Sequence, residues 1–274
     1  MKTFFTTKQH YSLFNHPQED FLLFSNKYPI FAVADGVTLN ASKGKKYPEQ
    51  SGAFEVAKIF CQTVVAEAEQ RYQTFKEKDL KEIFELGSSA VRQYNISQGR
   101  TKKTINYFDI DLFSATSSFG LVKNKKVYWF SLCDSGVKLF SKNGKGKFSS
   151  PSGWEHFPKK WKEGKNDKRK LIERHRDYRN AVGSDGKLTG YGVVDGENSA
   201  ELYLCAGTLK VKQGELLFLY TDGFENYFKL KEFKGIFKTW PNDLAFRLGE
   251  VVAKKSKQNI SKYGNEKTLI AVSV

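Results

Sequence analysis

Residues 18–36 read Gln18-Glu19-Asp20-Phe21-Leu22-Leu23-Phe24-Ser25-Asn26-Lys27-Tyr28-Pro29-Ile30-Phe31-Ala32-Val33-Ala34-Asp35-Gly36, two apolar runs around a polar turn, each closed at its outer end by carboxylates. Short runs rich in Phe, Leu, Val and Ile that flank a cluster of turn residues are strands joined as a hairpin. A hairpin centred near Lys27 pairs residues whose numbers sum to about 54, which sets Glu19 and Asp20 opposite Asp35 and Ala34. Two or three carboxylates then crowd together. Like charges across a ladder are destabilising, and a carboxylate taken into a cleft costs several kcal/mol unless it is protonated or paired.

The same ending recurs. Val127-Tyr128-Trp129-Phe130-Ser131-Leu132-Cys133 stops at Asp134-Ser135-Gly136, and Leu216-Leu217-Phe218-Leu219-Tyr220-Thr221 stops at Asp222-Gly223. One Asp-Gly is an ordinary tight turn. Three strand-end Asp residues, two in Asp-Gly and one in Asp-Ser-Gly, at the ends of the most hydrophobic strands, point to a shared role. No Arg or Lys stands close in sequence to neutralise Glu19, Asp20 or Asp35. A hard divalent cation, Mg²⁺ or Mn²⁺, is the natural compensator of an all-oxygen cluster, whereas four His and three isolated Cys disfavour zinc.

The remaining pattern is α+β. Residues 49–72 and 78–98 lack Pro and repeat apolar side chains at helical spacing, and 242–256 forms a third such run that Asn242 or Asp243 would cap. Strands are expected at 20–24, 29–35, 112–122, 126–133, 136–140, 201–209, 215–221 and 268–274. The short turns Lys123-Asn124-Lys125 and Val211-Lys212-Gln213-Gly214 suit hairpins, hence antiparallel pairing. Runs of strands with a few long helices imply layered sheets with helices outside, in a single domain without internal repeats. Residues 141–200, polar, basic and Gly-rich, are expected to be a loop-dominated flap.

With 45 Lys and Arg against 30 Asp and Glu, the 274 residues carry +15, yet 39% hydrophobic content with 23 Phe is enough for a folded core. Cys61, Cys133 and Cys205 lie far apart in apolar stretches and read as buried thiols, not a disulfide framework. No signal peptide and no run of about 18 apolar residues is apparent, so the cytoplasm is the expected location, without a membrane partner. Ten Lys and Arg against five Asp and Glu concentrate in residues 154–180; the rest of the excess is scattered over loops such as Lys43, Lys45 and Lys46. No nucleic-acid module accompanies the charge, which reads as a solvated surface or a field for anionic partners rather than a nucleic-acid footprint.

In this order the motifs resemble those of the metal-dependent protein phosphatases, the PPM or type 2C serine/threonine phosphatases, in their bacterial form. Gln18-Glu19-Asp20 is similar to that family's Asn-Glu-Asp opening, and Val33-Ala34-Asp35-Gly36-Val37 to its first Asp-Gly motif. Ser114-Ala115-Thr116-Ser117 resembles its Gly-Ala/Thr-Thr strand and Cys133-Asp134-Ser135-Gly136 its Gly-Asp-Ser-Arg. The stretch from Gly214 through Asp222-Gly223-Phe224 resembles the second Asp-Gly motif, and Gly264-Asn265-Glu266-Lys267-Thr268 the terminal Asp-Asp/Asn-x-Thr strand. The resemblance implies a four-layer α-β-β-α sandwich of two mostly antiparallel sheets. It also implies two Mn²⁺ or Mg²⁺ ions, with a third held more loosely. Asp35 would bridge the pair, Gly36 would contribute its carbonyl, Glu19 and Asp20 would act on the second ion, Asp222 on the first and Asp134 on the third. The activity implied is hydrolysis of phosphoserine or phosphothreonine on a protein substrate by a metal-activated water.

Three departures qualify this. Asn265 stands where the family has a metal-binding Asp, with Glu266 beside it as an alternative donor; Asn15 stands where many members have a phosphate-gripping Arg, with Lys8, His10 and His16 nearby; and Val37 replaces a His of the animal members. They favour, as the rival reading, a catalytically weak or inactive phosphatase-like binding module. His156 and His175 are expected at the surface or at caps, without a catalytic role.

Overall fold

The computed structural model describes residues 2–9, 17–37, 51–107, 111–156, 168–239 and 244–274. Among the described residues, ten strands form two sheets. The first orders β2 (Phe21–Phe24), β3 (Ile30–Gly36), β4 (Ala115–Lys123), β5 (Lys126–Leu132) and β8 (Cys205–Lys210) in that sequence. The second orders β1 (Lys2–Gln9), β10 (Lys267–Ser273), β9 (Leu216–Tyr220), β6 (Gly136–Phe140) and β7 (Gly146–Ser149). Every ladder is antiparallel. The helices are α1 (Gly52–Arg71), α2 (Asp79–Ser97), α3 (Lys168–Tyr178), α4 (Lys231–Thr239), α5 (Leu244–Gln258) and α6 (Ile260–Tyr263).

Alternation of side chains along each strand builds the layers. Phe31 and Val33 of β3 meet Leu217 and Leu219 of β9 and Ile270 and Val272 of β10 in the inter-sheet core. The opposite face of β3, Ile30, Ala32 and Ala34, packs with Phe119, Leu121 and Phe130 against Val56, Phe60 and Val64 of α1 and Ile83 and Phe84 of α2. On the other side, Leu216, Phe218, Leu269 and Ala271 bury against Phe233 and Phe237 of α4 and Leu244, Leu248 and Val252 of α5. The architecture is the expected α-β-β-α sandwich. Helix α1 starts at Ser51, whose hydroxyl accepts the Ala53 N–H at 3.1 Å, and is apolar on the face that turns inward.

Several expectations change. Phe21 pairs with Ala34 and Leu22 with Val33, so the hairpin residues sum to 55, and the Gly36 N–H donates to the Glu19 carbonyl at 3.2 Å. Glu19 therefore lies across from Gly36 and Asp20 across from Asp35, one place from the expected register. The cause is the odd five-residue turn, where the Ser25 hydroxyl accepts the N–H groups of Lys27 and Tyr28. Residues 211–214 do not close a hairpin: β8 pairs with β5 in one sheet and β9 with β10 and β6 in the other. Val211 drops into the inter-sheet core, and Gly214, at φ +83°, donates to the Val274 carbonyl, which carries the chain across the sandwich. Residues 198–203 form a short 3₁₀ helix rather than the start of a strand. The flap region holds a strand, β7, and a helix, α3; its residues 157–167, with Asn242 and Asp243, lie outside the described residues. The N-terminal strand β1 and the helix α4 had no counterpart in the sequence reading. Among the described residues, no helix is long and apolar enough to cross a membrane.

Phe130 is fully buried, with ring centroids of Phe60, Phe84 and Phe119 at 6.2, 5.7 and 5.0 Å. Phe130→Ala should lower the unfolding free energy by about 3–5 kcal/mol in urea titrations, with the m-value unchanged. Phe246→Ala, at a side chain 67% exposed, should change it by less than about 0.5 kcal/mol.

Candidate metal centre

The strand ends bring the acidic motifs to one end of the sandwich. Phe31 and Val33 of β3 face the opposing sheet, so Asp35, two residues on, falls on the same inner side. Asp35 keeps partial contact with solvent, as do Asp134 after β5 and Asp222 after β9, whereas Glu19 and Asp20 are wholly buried. Gly36 is required by close approach. A methyl group there would lie 2.8 Å from the Ala53 backbone and 2.9 Å from the Glu19 carbonyl.

Asp20 is tightly held. Its Oδ2 accepts the Thr221 hydroxyl at 2.9 Å, and Thr221 Oγ1 in turn accepts the Thr268 N–H at 2.9 Å, which ties β2, β9 and β10 together at their ends. Its Oδ1 is buried with no hydrogen-bond partner among the described residues. Burial, reinforced by Glu266 and, less, by Asp222, pushes the Asp20 carboxyl well above the usual carboxylate range, with the Thr221 hydrogen bond opposing. Burial also pushes Asp35 well up, and the charges of Asp20, Asp222, Asp134 and Glu266 all add to the effect. Asp134 is raised by burial and partly restored by neighbouring donors, among them the Trp154 indole N–H at 3.3 Å from Oδ2.

Asp20, Asp35, Asp134, Asp222 and Glu266 thus feel one another's fields. The residues around that group make contacts of their own. Glu19 accepts the Ser51 hydroxyl at the start of α1. Asn265 is exposed at the turn before β10. Glu266 is committed to the backbone: its Oε1 accepts the Glu19 and Asp20 N–H groups, both at 2.8 Å. Val37 packs beside Cys133, Tyr191 and Trp154. Asn15, His10 and His16 lie outside the described residues. An all-oxygen donor set, mutually repelling charges and a partnerless buried carboxylate oxygen fit a hard divalent cation in kind. Among the described residues, no three His, Cys, Asp or Glu side chains already converge as a closed cage.

Lys267, which the sequence reading passed over, is completely buried. Burial draws its ammonium down to about 8, while Asp20, Asp222 and Glu266 hold it up. A Lys heading a strand whose centre, Leu269 to Val272, is apolar was the available signal.

A second charged cluster anchors the flap. Arg179 grips Asp111 with both terminal nitrogens, at 2.8 and 3.1 Å, and His175 Nδ1 lies 2.8 Å from Asp111 Oδ2. Burial pushes the Asp111 carboxyl up, but Arg179 and His175 together hold it down at about 2. Burial and the Arg179 charge lower His175 to about 4, so its ring is neutral and donates through Nδ1–H. His175 is therefore a core residue and not the expected surface one, while His156 is exposed. Beside this anchor Trp154 stacks on Tyr191 at 5.0 Å, with the Arg174 guanidinium 5.9 Å from the Tyr191 ring. The three Cys are outside any disulfide; Cys61 and Cys133 are buried as expected, and Cys205 is half-buried.

No protein-family model matches the sequence, and no curated protein matches it. Solved structures do. The catalytic domain of the serine/threonine protein phosphatase PstP, in complex with two manganese ions, superposes with a TM-score of 0.56 at 12% identity, covering 98% of this chain and 96% of that one. PppA of Pseudomonas aeruginosa, a regulatory component of the T6SS, gives 0.57 at 14% over 98% and 96%. The S. agalactiae serine/threonine phosphatase gives 0.55 at 11% over 98% of both chains. The chain has the bacterial-type PPM phosphatase fold.

Because His175 is neutral when folded, with a value of about 4 against about 6.5 unfolded, the unfolded chain binds the extra proton between those values. Stability should therefore fall as pH drops from about 6.5 to about 4, by up to roughly 3 kcal/mol from this residue. Urea titrations across that window should show His175→Asn losing less stability than the wild type.

Proposed function

We propose that this chain hydrolyses phosphoserine or phosphothreonine monoesters on proteins in a reaction that requires Mn²⁺ or Mg²⁺. One observation carries the reading. Asp35 stands in the combined field of Asp20, Asp222, Asp134 and Glu266, at the end of a PPM-type sandwich, where those charges need cations. A bound pair of divalent ions supplies water activation and neutralises charge on the phosphoryl group. Asp35, Asp222 and Asp20 would hold that pair together with Glu19 and the Gly36 carbonyl, and Asp134 would hold a further ion. Thr221 would keep Asp20 oriented, and the Trp154 indole would do the same for Asp134. The excess of basic residues would draw phosphorylated or acidic protein surfaces toward the cleft, an effect weakened by salt.

The second reading, a phosphatase-like binding module with little or no turnover, has its own support. Asn265 is exposed and neutral, and the Glu266 carboxylate is already committed to two backbone N–H groups. Asn265→Asp separates the two. The added carboxylate should tighten Mn²⁺ binding about tenfold or more in calorimetry and leave turnover equal or higher. An unchanged affinity would mean that another donor completes the site.

Hydrolysis of an aryl phosphate and of a phosphothreonine peptide should depend on Mn²⁺, stop in chelator, and fall roughly 100-fold or more in Asp35→Asn and Asp222→Asn, at or beyond the ~10–100-fold cost of losing an outer-shell partner. Activity that ignores chelator or survives both substitutions sinks the metal-dependent reading. Absent turnover together with absent Mn²⁺ uptake favours the binding module.

A further inference from the structure

Lys267 is the first residue of β10, directly after Glu266 and two residues beyond Asn265. Its side chain is wholly removed from solvent, an unusual place for a lysine without nearby negative charge. The backbone locates it beside the acidic motif of β9. A methyl group built on Gly223 would come within 2.7 Å of Lys267 Cβ and 2.0 Å of the Glu266 carbonyl, so the lysine stem lies against the residue that follows Asp222. The next residue of β10 completes the connection: the Thr268 N–H donates to Thr221 Oγ1, whose hydroxyl donates to Asp20 Oδ2. Lys267 is thus set at the junction of the strands that carry Asp222 and Glu266, one short relay from Asp20. The fields of Asp20, Asp222 and Glu266 all act on it.

We infer that the Lys267 ammonium is a tethered counter-cation of the Asp20, Asp222 and Glu266 carboxylates and that it competes with divalent metal for them. This rests on the metal-centre reading above. A fixed positive charge beside the donors lowers their negative potential and repels an incoming divalent ion. The same charge stabilises the carboxylates while metal is absent. The chain therefore requires a higher Mn²⁺ concentration than its carboxylates alone would, and its metal occupancy follows the surrounding Mn²⁺ level. Asn265, a neutral amide where the family resemblance implies a carboxylate, acts in the same direction. A purely packing role for the lysine stem predicts no effect of its charge.

Lys267→Met keeps the stem and removes the charge; Lys267→Arg keeps the charge; Lys267→Gln serves where Met prevents folding, judged by circular dichroism. Mn²⁺ affinity is read by calorimetry and by the rise in melting temperature on adding Mn²⁺, neither of which depends on turnover. Lys267→Met or Lys267→Gln should bind Mn²⁺ about tenfold tighter or more, with Lys267→Arg near the wild type. Mn²⁺ uptake confined to the uncharged variants supports the inference in its strongest form. Equal or weaker affinity in the uncharged variants, with the wild type binding Mn²⁺, overturns the counter-cation and leaves the metal-centre reading standing. No uptake by the wild type, the uncharged variants or Asn265→Asp overturns both.

Discussion

The structure is organised around the repulsion among carboxylates that the fold forces together. An apolar strand that ends in Asp delivers the charge to the rim of the sandwich, where one side is core and the other is cleft. Asp35 at the end of β3 and Asp222 after β9 are brought there by strands in opposite sheets, and Asp20 is locked between them through Thr221. Each carboxylate loses water and meets the others' charge, which is why burial and neighbouring acids both push Asp20 and Asp35 upward. Well-packed apolar layers on either side oppose relaxation of the rim, so the repulsion is not relieved by movement of strands.

The protein contains a second solution to the same problem. Asp111 is also buried, yet Arg179 binds it through two parallel hydrogen bonds and His175 adds a third, and its carboxyl falls to about 2 instead of rising. The Asp111 carboxylate is thereby paired within the chain, and α3 is held against the segment leading into β4. Among the described residues, the strand-end group has Lys267 as a point charge that feels Asp20, Asp222 and Glu266. A planar guanidinium satisfies a carboxylate geometrically, whereas a single ammonium satisfies a cluster only in part. Two acidic sites in one fold therefore differ in how far their charge is offset within the chain.

Much of this was legible in the sequence because it is local. The runs ending in Asp35, Asp134 and Asp222 announce both their strands and their terminal charges, and the spacing of α1 and α2 announces their buried faces. Register was less legible: it depended on the five-residue turn at 25–29, where the Ser25 hydroxyl rather than the apolar pattern sets the chain's path. The path after β8 was misread because polar turn composition says that the chain reverses, not which sheet receives it. Val211, buried between the sheets, is the residue that sends it across. The anchor of the flap was invisible for a different reason: Asp111 and Arg179 are 68 residues apart, and neither sits in a periodic segment that would mark it as buried.

The net charge of +15 illustrates why position governs this chemistry more than composition. Exposed lysines are hydrated and screened within about 10 Å at ordinary ionic strength, so they shape the long-range field without neutralising acids in a cleft. The cluster at the strand ends therefore stays acidic inside a basic protein. Glu266 shows how finely this is set, since its carboxylate spends its lone pairs on the Glu19 and Asp20 N–H groups while its charge still raises both Asp20 and Asp35. It fixes the entry of β2 and at the same time deepens the negative potential of the cleft. One residue thus serves the fold and strengthens the demand for a cation, and a neutral replacement would keep the first role while weakening the second.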